Sequence, residues 1–160
     1  MKRNWMKNLL LVALLPALLL AGTTAFSPEK ASAEGAFEAQ SPSVGVSPLS
    51  IFNPNHLYLD SGSSLISATT GSVTITADTS ANIKVDSIGL TVYVQKWNGS
   101  SWETVGSGNT MGGNNSAYYS NSVSKSVTSG YYYRARTIHW VIHKGVYEEG
   151  ERFTSSVLVP

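Results

Sequence analysis

The side chains whose type and spacing could do chemistry in this chain are three histidines, His56, His139 and His143, and three carboxylates, Glu148, Glu149 and Glu151. On a helix, the interval from His139 to His143 would bring two imidazoles together. The residues around them are β-branched and aromatic, so the segment reads as a strand, on which the same interval puts both rings on one face about 13 Å apart. A single metal ion, held by bonds of about 2.0 Å, cannot reach both. They are expected to be ordinary surface histidines, and no metal or cofactor is expected. On the same kind of strand Glu149 and Glu151 share one face and Glu148 takes the other. Arg136 falls diagonal to Glu151 in the register derived below, so a surface ion pair is the expected use of that carboxylate.

The remaining catalytic patterns fail on chemistry. Serine is abundant, yet no Gly-x-Ser-x-Gly elbow leads into a helix. The run Gly106 to Gly113 precedes a strand and lacks the lysine that a phosphate-binding loop requires. The chain has no cysteine, which excludes disulfides, thiolate nucleophiles and cysteine-held zinc. No catalytic residue is assigned, and the expectation is a protein that is not an enzyme.

The element that must position these groups is the stretch Gly130 to Val159, rich in Tyr, Ile, Val, Thr and Trp and broken at Lys144-Gly145. It reads as one long hairpin. A two-residue turn there sets Tyr131 opposite Leu158, Ala135 opposite Thr154, Arg136 opposite Phe153, Trp140 opposite Glu149 and Ile142 opposite Tyr147. Tyr131, Tyr133 and Ala135 then share one face, and Tyr132, Arg134 and Arg136 the other. Because its strands exceed the usual five or six residues, the distal part, Trp140 to Tyr147, is expected to project beyond the body of the fold.

Upstream, period-two runs recur and no helical period is sustained. Leu65 to Ala68 is a short candidate strand. Val73, Ile75 and Ala77 alternate inward. From Ile88 to Trp97 the inward set is Ile88, Leu90, Val92 and Val94, with Thr91, Tyr93, Gln95 and Trp97 outward. Trp102 to Val105 and Tyr118 to Val127 follow, and the hairpin completes about seven strands. A four-residue loop Asn98 to Ser101 pairs Trp97 with Trp102, Lys96 with Glu103 and Val94 with Val105. That register gives matched pairs worth roughly 0.2–1 kcal/mol each over the mismatches of a two-residue Asn98-Gly99 turn. Gly106 to Ser116, with its glycines and asparagines, is expected to be a loop, either a mobile binding loop or a long connection.

Seven short strands separated by Gly, Ser and Asn clusters point to an all-β fold, an antiparallel β-sandwich. The order of the strands resembles the immunoglobulin-like and fibronectin type III-like sandwiches, notably in the Tyr-rich strand followed by a last strand ending Ser-Val-Leu-Val. Thr91 to Trp97 and Gly130 to Arg136, with His139 beyond, resemble a group of small exported β-sandwich proteins of Gram-positive bacteria that form a domain-of-unknown-function family. The resemblance covers roughly residues 73–159 and implies no catalytic residues.

The first 33 residues read as a secretion signal: Lys2, Arg3 and Lys7 precede an apolar run from Leu9 to Ala21, too short to span a bilayer. Cleavage is expected after Ala33, where Ala31-Ser32-Ala33 is a better small-residue pattern than Thr23-Thr24-Ala25 before Phe26. Thr23 stands where a lipoprotein would carry its cysteine. Residues 34–50, with Pro42 and Pro48, read as a disordered or extended lead-in, and the β-domain spans 51–160.

The whole chain has a formal charge of +1, from 11 basic and 10 acidic residues. Loss of Lys2, Arg3, Lys7, Lys30 and Glu29 with the leader brings the mature chain near −2, so nucleic acid is not an expected partner. Stable membrane insertion after cleavage is not expected either. The expected location is extracellular, released or loosely associated with the cell wall.

What is left is the outward face. Tyr93, Gln95, Trp97, Trp102, Tyr132, Arg134 and Arg136 are expected to form one band of rings, amide and guanidinium groups, with Trp140, Ile142 and Tyr147 meeting at the hairpin tip. Rings stack on sugar faces, and Arg and Gln donate to hydroxyls, so the expected ligand is an extracellular glycan or protein. The same band could instead be a self-satisfied cation–π ladder. The expected function is a non-catalytic binding module, with a small secreted antimicrobial or toxin-like protein as the alternative.

Overall fold

Alternating apolar and polar residues build seven antiparallel strands, seen in a computed structural model that describes Ser41 and residues 51–160. The expected leader, both cleavage sites and, apart from Ser41, the lead-in lie outside the described residues. The strands are β1 (Leu59–Thr69), β2 (Ser72–Trp97), β3 (Trp102–Thr104), β4 (Asn109–Ser126), β5 (Tyr132–His143), β6 (Val146–Phe153) and β7 (Val157–Leu158). All belong to one hydrogen-bonded sheet, ordered β1-β2-β5-β6, with β3 and β4 also paired to β2 and β7 to β5. The sheet is curled, and the described residues contain no helix.

Strand β2 explains the curl. Its first half pairs with β1 on one edge and its second half with β5, while β4 follows it along the other edge. Between Ser80 and Val85 the β2–β4 register shifts, and just past Val85 the buried apolar positions change from odd (Val73, Ile75, Ala77, Val85) to even (Ile88, Leu90, Val92, Val94). The two halves share one core cluster, completed by Tyr133, Ala135 and Val159. The strand thus turns its apolar side inward twice, and the sheet wraps around it. The change of phase also breaks the period-two pattern, which is why the sequence suggests two separate strands here.

The loop after Trp97 has the four-residue form. Trp97 pairs with Trp102 and Lys96 with Glu103, and the Val105 N–H donates to the Val94 carbonyl at 2.8 Å. At the other hairpin Lys144 (φ 50°) and Gly145 (φ 78°) both adopt left-handed backbone, the geometry of a type I′ turn. The expected pairs hold from Arg136–Phe153 to Ile142–Tyr147.

Beyond Phe153 the ladder slips. The Thr154 hydroxyl accepts the Ala135 N–H at 2.9 Å, and Leu158 lies opposite Tyr132 rather than Tyr131. Nor does the tip project, because β5 is paired to β2 from Tyr133 to Ile142. Asp86 also accepts the Lys144 N–H at 2.8 Å and lies 3.3 Å from His143 Nδ1, tying the turn to the sheet.

Gly106 to Ser116 is not a loop from Asn109 onward, since β4 starts there. Its glycines provide clearance rather than flexibility. A Cβ on Gly108 would lie 2.6 Å from the Tyr93 ring, and one on Gly112 would lie 2.8 Å from the Trp140 indole. Small residues in this strand let two large rings lie down across the sheet.

The open side of the curl is closed by residues 51–58. Ile51 forms an antiparallel bridge with Glu151, and Phe52 occupies the space above Gly150, where a Cβ would meet its ring at 2.5 Å. Glu148 is buried and accepts three backbone N–H groups, from Leu57 (2.6 Å), Tyr58 (2.9 Å) and Leu59 (2.8 Å). Burial pushes its carboxyl up, but those three donors outweigh it and hold the pKa below the ordinary value.

Candidate functional site

The outward face of β2, β5 and β6 collects most of the expected site residues, because β2 and β5 pair with Tyr93 opposite Arg136 and Gln95 opposite Arg134. Successive outward residues on neighbouring strands therefore form rows. At one end Trp97 and Trp102 pack at a tilt of 54° with centroids 5.3 Å apart. In the next row Arg134 donates from Nε to Gln95 Oε1 at 2.8 Å, and its Cζ lies 4.5 Å from the Trp102 ring and 4.5 Å from that of Phe153. Arg136 then sits 5.5 Å from the Tyr93 ring and pairs with Glu151. Tyr132 stands at the edge of the band, its hydroxyl 2.9 Å from Ser41 Oγ. In this part of the face each guanidinium already has ring and hydrogen-bond partners.

The other end is different. Trp140 starts on β5, yet its ring comes within contact of Gly89 on β2 and Gly112 on β4, the next strand over. Strands lie about 4.8 Å apart, so the indole must lie along the sheet surface rather than stand up from it. Beside it Tyr147 is 54% exposed and donates from its hydroxyl to Glu149 Oε2 at 2.7 Å. Burial, and then that bond to a carboxylate, push the Tyr147 pKa up to about 12. Ile142 and Val146 are also exposed large apolar side chains here. The result is a floor of recumbent ring and apolar side chains, edged by a carboxylate, a phenol and the hydrogen-bonded hydroxyls of Thr91 and Thr110 (3.0 Å).

Phe153 and the glycine floor were not among the expected site residues, although the expected register already set Phe153 opposite Arg136 and Glu149 opposite Trp140, as the structure has them. The glycines gave no signal, because nothing in the local pattern says which distant ring needs their space.

The inner face holds a second polar set. His139 is fully buried, not a surface residue, and a Cβ on Gly62 would collide with its ring. The Thr79 hydroxyl donates to the Gly89 carbonyl at 3.0 Å, so at 2.9 Å it accepts from His139 Nδ1–H. His139 Nε2 is left as an acceptor, 3.4 Å from Ser64 Oγ. Burial first, then the charge of Arg152, lower the His139 pKa to about 4, so the ring is neutral at pH 7. His143 lies apart from it, its ring edge-on to Tyr58 at 4.8 Å. Among the described residues no group of three or more His, Cys, Asp or Glu side chains is placed to hold a metal ion. A shallow recess of about 330 Å³ between Lys96, Val105, Val127 and Tyr133 lies at the end of the core and carries no carboxylate or imidazole. No family model matches the chain, and no curated protein is similar to it.

Proposed function

We propose that this is an exported, non-catalytic binding module that takes an extracellular glycan on the outward face, at the Trp140–Tyr147 end. One observation carries the reading: the Trp140 indole lies along the sheet over glycines, with exposed Tyr147 and Ile142 beside it. A flat ring flanked by hydroxyl, phenol and carboxylate groups suits the apolar face and the equatorial hydroxyls of a sugar. The Arg134 and Arg136 rows serve as the rigid frame that holds this floor in place, because their charged groups are already engaged within the protein.

We also read the curled sheet as a variant of the immunoglobulin-like sandwich, an interpretation supported by the way the two halves of β2 pack their apolar sides into one cluster. Export rests on the leader pattern in residues 1–33. The family of exported Gram-positive proteins remains part of the same proposal, on the strength of the β2 and β5 motifs.

The test is retention of purified protein on isolated bacterial cell walls, with thermal stability measured in parallel. Trp140→Ser and Tyr147→Ser are expected to abolish retention, with Tyr147→Ser leaving the melting temperature within a few degrees of the parent. Retention unchanged in both variants overturns the reading.

A further inference from the structure

We propose that the recess at the Lys96 end of the core binds a small amphiphilic anion, an apolar chain or ring that carries one anionic head. It lies at the other end of β5 from Trp140, so the proposal stands independently of the function above. The recess has a volume of about 330 Å³ and opens between four segments: Lys96 of β2, Val105 just past β3, Ser126 to Thr128 at the end of β4, and Tyr133 of β5. Small-molecule sites are concave and mostly apolar with a few placed polar groups, at roughly 300–1,000 Å³, and the recess falls at the lower end of that range. Its floor is apolar, because Tyr133 belongs to the buried core and Val105 and Val127 pack against that core.

Two lysines at this end occupy positions where the strand pattern calls for apolar residues. On β2 the buried series Ile88, Leu90, Val92, Val94 continues by period two to Lys96, the register partner of Tyr133. On β4 Lys125 falls between Val123 and Val127, both packed on the core, and pairs in register with the fully buried Val73. Both lysines are half-buried. Each side chain therefore starts on the inner face and carries its ammonium out at the mouth of the curl.

Charge decides the kind of ligand. The Lys125 ammonium donates to the Ser107 carbonyl at 2.7 Å and to the Val105 carbonyl at 3.5 Å, which fixes it beside the Val105 wall and leaves it a third donor. The Lys96 ammonium lies over the face of Tyr131, 4.5 Å from the ring centroid. Among the described residues neither ammonium is in an ion pair. Glu103 stands opposite Lys96 in register, yet its carboxylate accepts from Asn98 Nδ2, and the Pro160 carbonyl is held by the Ser129 hydroxyl at 2.6 Å. An apolar hollow with two unmatched cations and no lining carboxylate complements an anion with an apolar body. An ammonium is a point charge without the planar fork of arginine, so the negative charge of the head matters more than its shape, and the chain sets the fit.

Sodium octanoate is the probe, with sodium acetate as the head without the chain and octyl glucoside as the chain without the charge. At pH 7 and fixed ionic strength, below micelle formation, titration calorimetry is expected to show octanoate binding at least about tenfold more tightly than either control. Lys96→Gln removes a charge whose partner is the Tyr131 ring, so it spares the fold, and it is expected to weaken octanoate binding by about tenfold. Lys96→Arg, which keeps the charge, and Lys84→Gln, an exposed lysine outside the recess, are expected to bind octanoate like the parent. In methyl NMR spectra octanoate is expected to shift Val105 and Val127 and to leave Val85 and Val141, in the other core cluster, unmoved. Octyl glucoside binding as tightly as octanoate overturns the role of the cations, and acetate doing so overturns the role of the apolar floor. Unchanged affinity in Lys96→Gln, an equal loss in Lys84→Gln, or shifts that spare Val105 and Val127 overturn the site.

Discussion

Trp140 and Gly89, opposite each other on β5 and β2, are fitted so closely that the indole occupies the space where Gly89 would carry a side chain. The Met111 carbonyl and the Gly112 Cα crowd the same point, and backbone atoms cannot swing away as a side chain can. Gly89→Ala is expected to destabilise the fold by about 1–3 kcal/mol or more, through overpacking. Urea unfolding of the variant measures this, and a loss under about 0.5 kcal/mol, the range of neutral surface substitutions, would contradict the fit described.

The clamp by Glu148 gives a second prediction. Glu148→Gln keeps one acceptor oxygen but loses the charge, and is expected to cost about 1–3 kcal/mol at pH 7. The folded-state pKa of this carboxyl is lowered by the three amides. Its stabilisation is therefore present above the unfolded pKa and lost as pH falls through the folded one. Acid unfolding followed by fluorescence is expected to show a shallower loss below pH 5 in the variant than in the parent.

His139 acts in a higher pH window. Its pKa is about 4 when folded against 6.5 for the free side chain, because burial and the Arg152 cation disfavour the charged ring while Asp78 opposes them weakly. The unfolded chain takes up a proton between these values and the folded one does not. Stability is thus expected to fall as pH drops from about 6.5 to about 4 and to level off below, by on the order of 3 kcal/mol at most. His139→Asn is expected to remove that slope, whatever its own cost at pH 7. A parent protein with flat stability across the window would contradict the burial of a neutral ring.

The two outward arginines are expected to differ. Arg134 joins Gln95, Trp102 and Phe153, so Arg134→Ala removes a hydrogen bond and two ring contacts and is expected to cost about 1–2 kcal/mol. Arg136, whose side chain is 37% exposed, pairs mainly with Glu151, and Glu151→Gln is expected to cost less than about 1 kcal/mol. Thermal melts of the two variants, compared at low and at high salt, check the order and the weaker salt dependence of the first.

Much of the sheet was legible from the chain alone, for a physical reason. Side chains on a strand alternate with period two, and facing strands share one register, so the alternation around Val92 and Ala135 assigns faces, and Trp97–Trp102 selects a loop length without knowledge of the rest. Close to the turn, from Arg136 to Tyr147, where local pattern and turn geometry suffice, the reading and the structure agree.

The tertiary structure decided what depends on distant contacts. The phase change within β2 merges two apparent strands into one, and only the wrapped core shows why both phases face inward. Gly106 to Ser116 reads as a loop because glycine lowers strand propensity, yet Tyr93 and Trp140 need the emptiness at Gly108 and Gly112. His139 falls by period two on the face of Tyr133, Ala135 and Val141, yet an imidazole reads as a surface group, and it is the approach of Gly62, Thr79 and Phe52 from three other segments that buries it. Composition and period specify which side of a strand is apolar, whereas the depth of a particular side chain is set by what the curl of the sheet brings over it.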